Sequence, residues 1–173
     1  LFNRLTKIGG HCGPNFGMVE AEIAIHYVFN SPKDKIVFDV SHQSYPHKML
    51  TGRKEGYICD EHFGDDSGYT NPEESEHDLF NIGHTSTSIS LATGLASLNV
   101  AGSEIESNLI IVVNDNQQSI SETHGGIYKS LSELRETQGE SENNIFRAFG
   151  LDYVYVEEGN DIAKMIEAFE KLK

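Results

Sequence analysis

The sequence predicts an α/β fold of three layers, α/β/α, built on a mainly parallel sheet. Short apolar runs alternate with segments of helical periodicity, the order expected of strand–helix–strand units. Turn-forming residues cluster at the carboxyl ends of those runs, where open parallel sheets place their ligand loops. The length, 173 residues, is that of one ordinary domain able to bury a core without disulfide staples.

The elements follow in chain order. Leu1 to Leu5 reads as the middle of a helix, so the chain is expected to be a fragment. Ile8 to Gly17 holds four glycines and reads as a loop. Met18 to Phe29 predicts a buried helix, apolar on more than one face, stopped by Asn30-Ser31-Pro32. Ile36 to Val40 predicts a buried strand that runs out into Ser41 to Lys48. Residues 53–82 are polar and aperiodic, a long loop of the kind that is functional or mobile. Gly83 to Ser88 opens a helix around Ile89, Ala92, Leu95 and Ala96, and Leu109 to Val113 predicts a second strand ending in Asn114-Asp115-Asn116. Residues 117–140 read as a polar connection, and Asn143 to Phe149 as a helix closed by Gly150. Tyr153 to Val156 predicts a third strand. Asp161 caps a last helix with Ile162, Met165, Ile166 and Phe169 on one face and a Glu167–Lys171 pair.

Composition excludes several classes. Thirteen basic residues against 27 acidic ones give a net charge of −14, which repels a phosphate backbone, so no nucleic-acid partner is expected. The apolar run from Leu109 to Val113 is far too short to cross a bilayer, so no membrane partner is expected. Two cysteines, Cys12 and Cys59, without a CxxC pattern, exclude a disulfide framework and point to a cytoplasmic setting.

Chemistry is expected at strand ends and at one helix start. The Gly83-His84-Thr85-Ser86 run offers free amides and hydroxyls that suit a diphosphate, and the same hydroxyls equally serve as a plain helix cap. Asn114-Asp115-Asn116 offers hard oxygen ligands for Mg²⁺, or an ordinary Asx turn. Four of the eight histidines, His11, His42, His47 and His84, lie in glycine-rich or strand-end loops, where imidazoles move protons or donate to oxyanions. His26 reads as a core histidine, and His62, His77 and His124 as solvated ones. No Cys/His spacing suits structural zinc.

The order of these motifs resembles the 1-deoxy-D-xylulose-5-phosphate synthase family, over nearly the whole chain. It is carried by Gly9-Gly10-His11 with Gly13-Pro14-Asn15-Phe16-Gly17, by Asp39 through Arg53, by Glu74-Ser75-Glu76-His77-Asp78, by Gly83 through Ser90, and by Asn114-Asp115-Asn116 with Ser119-Ile120-Ser121. The resemblance implies a thiamine-diphosphate-binding fold of the transketolase type, and residues 1–173 as an incomplete N-terminal diphosphate-binding domain without the pyrimidine-binding and C-terminal domains. It implies a transferase that joins pyruvate to glyceraldehyde 3-phosphate with loss of CO₂, feeding isoprenoid and thiamine synthesis. Thiamine diphosphate and Mg²⁺ are the implied cofactors, and the full-length enzyme is expected to be a homodimer. His11 and His42 take the catalytic places. His42, Gly83, His84, Thr85 and Asn116 would contact the cofactor, and Asn116 with the Gln118 carbonyl would hold Mg²⁺. The pattern departs at Phe38, where tryptophan is common, and at Ser41, where glycine is common.

A larger departure concerns the family's Gly-Asp-Gly motif, whose Asp is the first Mg²⁺ ligand. Here Gly94-Leu95-Ala96 runs directly toward Leu98-Asn99-Val100, and a strand with most of a helix, on the order of 30 residues, has no counterpart. The expectation is that this unit belongs to the protein and orders only with cofactor; an unbroken chain from Leu95 to Asn99 refutes it. The fragment alone is expected to be inactive. The rival readings are half of a split transketolase, using ketose phosphates, and a non-catalytic scaffold remnant.

Overall fold

The computed structural model describes residues 1–102, 109–115 and 125–173. In order come α1 (Phe2–Ile8), α2 (Cys12–Phe16), α3 (Val19–Val28), α4 (Tyr45–Lys48) and α5 (Glu55–Ile58). They are followed by α6 (Ser88–Gly102), α7 (Gly126–Glu136), α8 (Ile145–Ala148) and α9 (Ile162–Leu172). The described residues contain no strand.

The parallel sheet, and with it the three-layer α/β/α arrangement and the thiamine-diphosphate-binding fold, is therefore corrected. Ile36 to Phe38 is unpaired, and the chain then turns through Val40 and Ser41 at φ +61° and +68°. Leu109, Ile111, Val112 and Val113 are 37–49% exposed, whereas a central strand is buried on both faces. Residues 153–156 pair with no described segment either. A strand is not a local structure: its N–H and C=O groups need a neighbour at ladder distance. α6 runs as helix as far as Gly102. The polypeptide runs without a break through Leu95–Asn99 inside α6, so no unit is hidden at that junction.

The helical expectations fare better because their signals are local. Asp161 Oδ1 accepts from the amides of Ala163 (2.9 Å) and Lys164 (3.2 Å), and so starts α9. Lys171 reaches Glu167 at 2.7 Å on its solvent face. Asn144 caps α8 in the same way, through Phe146 and Arg147. The main apolar core lies between α3 and α9, where Ala21, Ala24 and Val28 meet Met165 and Phe169. A second cluster joins Leu5, Tyr45 and Tyr57, with the Arg4 guanidinium 4.6 Å above the Tyr57 ring.

Residues 53–82 are not a plain loop. Past α4 the chain breaks at Thr51 and Gly52, and Gly52 takes φ +101°, a conformation that glycine adopts without strain. Arg53 then meets Asp78 with both guanidinium nitrogens, at 2.6 and 2.8 Å. Lys48 Nζ, fully buried, meets Glu74 at 2.5 Å and the Ser67 carbonyl at 2.9 Å. His47 Nε2 lies 3.0 Å from Asp78, and its Nδ1 lies 2.8 Å from His26 Nε2. This chain of polar groups ties the acidic segment to α3 and α4. Burial and the neighbouring His47 lower His26 to about 4, so it is a bonded neutral histidine, as expected.

Glu22, on α3, is buried among these groups. Its Oε2 accepts from the His47 amide at 2.6 Å, while Oε1 has no partner. Burial raises its carboxyl well above the usual range, against the pull of that amide. A carboxyl that is harder to ionise folded than unfolded loses stability as pH rises above the ordinary carboxylate range. Glu22→Gln keeps an acceptor for His47 and removes that cost. Urea unfolding at neutral pH should show stabilisation, by about 1.4 kcal/mol for each pKa unit of displacement. The gain should vanish toward pH 4; equal midpoints at neutral pH would refute it.

Candidate functional site

The segment from Gly9 to Phe16, a glycine turn leading into α2, and the segment from Asp39 to Tyr45 at the start of α4 come together although about 30 residues separate them in sequence. His11 and His42 meet edge to face, ring centroids 5.2 Å apart and planes at 85°. The Tyr45 hydroxyl lies 3.2 Å from His11 Nδ1, and the Tyr69 ring stands 5.6 Å from the His11 ring. Gly10 allows this approach. A Cβ there would stand 2.6 Å from Leu5 and 3.1 Å from the Tyr45 hydroxyl, and its φ is +138°.

Burial and the nearby His11 lower the proton affinity of His42, which favours neutral imidazole near pH 7. Its Nδ1 is buried without a hydrogen-bond partner. Two residues that the sequence marked as catalytic are thus brought into one pair. His47, another loop histidine, is instead spent on Asp78. Asn15 was not singled out by motif reading, since it sits inside Gly-Pro-Asn-Phe-Gly without an acid–base group. Its side chain is fully buried between the two loops.

Ser41 shows why glycine suits its position: φ is +68°. Here serine is held by its hydroxyl, which donates to the Ile82 carbonyl at 2.6 Å and accepts from the Thr70 amide at 3.1 Å. Those two bonds offset the left-handed backbone cost of about 1–2 kcal/mol.

Gly83, His84 and Thr85 are exposed ahead of α6, and among the described residues no hydrogen bond or ring contact joins them to the His11–His42 pair. The amides that follow are taken. Asp39 accepts from Ser86 at 3.0 Å, Thr87 at 3.1 Å and Ser88 at 3.2 Å. Burial alone would raise the Asp39 carboxyl, but these amides hold it below its ordinary value, so it is an anion at neutral pH. Asp115 is paired with Arg135. Asn116 and Gln118 lie outside the described residues. Among the described residues, no group of three or more His, Cys, Asp or Glu side chains is placed to hold a metal ion.

Comparison with known proteins turns on the order of these loops. The family model described as 1-deoxy-D-xylulose-5-phosphate synthase matches residues 1–99 and 95–143. The chain belongs to the 1-deoxy-D-xylulose-5-phosphate synthase family. A synthase of Listeria monocytogenes serotype 4b is 36% identical over 207 positions, which cover 100% of this chain and 34% of the relative. One of Pelotomaculum thermopropionicum is 41% identical over 163 positions, covering 78% and 25%. Synthase 1 of Geobacter sulfurreducens is 32% identical over 237 positions, covering 100% and 37%. The chain spans about a third or less of the length of these relatives.

Two features of the match bear on the departure at α6. The two matched stretches of the synthase model meet at residues 95–99. The Listeria alignment sets 207 positions against 173 residues, leaving about 34 positions of that synthase without a counterpart. The synthase family is thiamine-diphosphate dependent, and its members are transketolase-type transferases. The residues described here do not fit that cofactor and its metal ion. The amides at the start of α6 already face an anion, Asp39, and Asp115 is held by Arg135. No Gly-Asp-Gly sequence occurs anywhere in the chain.

Proposed function

We propose that the complete protein carrying this chain is a 1-deoxy-D-xylulose-5-phosphate synthase, joining pyruvate to glyceraldehyde 3-phosphate with loss of CO₂. Residues 1–173 are then part of its N-terminal diphosphate-binding domain. The observation that carries the reading is the His11–His42 pair, two imidazoles edge to face at the meeting of the family's first two motifs. Neutral His42, with Nδ1 unpaired, is the group to exchange a proton with a substrate oxygen, and His11, beside the Tyr45 hydroxyl, orients it. Mg²⁺ would take Asn116 and the Gln118 carbonyl together with an acidic ligand that this chain lacks. By themselves residues 1–173 therefore do not turn over substrate. A homodimer of the complete enzyme and a cytoplasmic location belong to the same proposal.

The test is a graft. Residues 1–173 replace the matching stretch of the Listeria synthase, with the relative's missing positions restored at 95–99, and CO₂ release from pyruvate is assayed. The restored graft should be active, and His42→Ala within it should lower turnover roughly tenfold or more. Full turnover in the His42→Ala graft would sink the assignment of His42. A folded restored graft that releases no CO₂ would favour the scaffold reading.

A further inference from the structure

We propose that Asn15 is a positioning residue: its amide fixes the His11 loop against the His42 loop and so sets the edge-to-face histidine pair. The inference rests on the reading of that pair as the reactive end of the site.

Asn15 lies on α2 and is fully buried. Its Nδ2 donates to the His11 carbonyl at 2.6 Å and to the His42 carbonyl at 2.8 Å. Its Oδ1 accepts from the Tyr45 amide at 2.9 Å. One planar group thus holds the main chain of both histidines and of the tyrosine that meets His11. Among the described residues no backbone hydrogen bond joins the two loops, so this side chain supplies their main-chain link.

The residue type is dictated by that task. The site needs two donors toward carbonyls and one acceptor toward an amide, in a short, planar fork, and asparagine alone among side chains of this size offers them. Aspartate would keep the acceptor and set an anion against two carbonyl oxygens. Alanine would take this partner from the buried Tyr45 amide and from two partly buried carbonyls. The other ties between the loops are softer. His11 meets Tyr45 at 3.2 Å, and the rings of His11, His42 and Tyr45 touch at centroid distances of 5.2 and 6.3 Å. Rings in such contacts can slide; a carbonyl held by a buried amide cannot do so without losing its bond.

The pair's proton chemistry gives a readout that a purely structural role would not move. The charged or titratable groups acting on His42 are His11, which disfavours its protonation, and Asp39, which favours it. If Asn15 sets the spacing, removing it withdraws the His11 influence and leaves Asp39 in place, since Asp39 is held independently by the α6 amides. The His42 midpoint then moves up toward its ordinary 6.5.

The experiment is histidine-resolved NMR on the 173-residue chain. In the parent chain, His11 and His42 ring protons should show a mutual cross-relaxation peak, and His42 should titrate below 6.5. In Asn15→Ala the peak should be lost and the His42 midpoint should rise, while the buried His47 signal beside Asp78 stays unchanged. Asn15→Asp, which retains the acceptor for Tyr45, should behave as Asn15→Ala does and is read in its place if the alanine variant does not fold. Persistence of the peak and of the low midpoint in a folded variant overturns the proposal. So does loss of the His47 signal in both variants, because Asn15 would then serve the whole fold rather than the pair.

Discussion

Asp78→Ala will lower the unfolding free energy by about 3–5 kcal/mol, the range for removing one partner of a buried ion pair. Asp78 is fully buried and holds four partners: two nitrogens of Arg53, His47 Nε2 and the Asn71 amide at 2.8 Å. Without it, Arg53 keeps Glu74 at 3.4 Å, and His47 and Asn71 are left with buried donors unpaired. A domain of this size has roughly 5–15 kcal/mol in total, so the loss takes a large share of it. Burial by itself would raise the Asp78 carboxyl, but Arg53 and His47 hold it far below the ordinary carboxylate range. A group with a depressed folded pKa contributes stability above its unfolded pKa and loses it as pH falls through the folded one. The parent chain should therefore weaken steadily below about pH 4, and Asp78→Ala should show a flatter acid limb. Urea midpoints between pH 2 and pH 7 check both. A neutral-pH loss below 1 kcal/mol would show that solvent or rearranged partners replace the carboxylate.

Phe169→Ala should cost a comparable 3–5 kcal/mol, by a different mechanism. The Phe169 ring is 3% exposed and meets Phe29 at 6.0 Å, inclined at 73°, above the small residues Ala21 and Ala24. Those alanines let α9 approach α3 closely. The deletion therefore removes buried area and leaves a cavity, and α9 should detach before the rest unfolds. Hydrogen exchange should show α9 amides exposed in the variant while the Lys48–Glu74 region stays protected. Unchanged protection in α9 would mean that Met165 and Ile166 hold the helix without the ring.

These two residues sit on opposite sides of what was legible. Phe169 could be read from the sequence, because Ile162, Met165, Ile166 and Phe169 share one helical face and Asp161 announces its start. The Asp78 network could not. Lys48, Arg53, Glu74 and Asp78 lie up to 30 residues apart in a stretch without periodicity, and pairing between them is set by the chain's path. Helix α7 was missed although Ile127, Leu131 and Leu134 recur at helical spacing, since Gly125-Gly126 and the surrounding polar residues masked the pattern. Glu22 is a carboxylate inside a helix that reads as apolar on more than one face, and it is buried with the rest of that helix.

In the site, the motif order identified His11 and His42, and the structure brings them together. It could not show that Asp39 occupies the amides at the start of α6, because that contact joins positions nearly 50 residues apart. By itself the sequence determined the courses of α3 and α9 and the family, which rest on interactions within about one turn or on fixed motif spacing. Tertiary structure decided whether Ile36–Val40, Leu109–Val113 and Tyr153–Val156 became strands. An apolar run becomes a strand only beside another backbone, and where no neighbour stands at ladder distance its hydrogen bonds go to water instead.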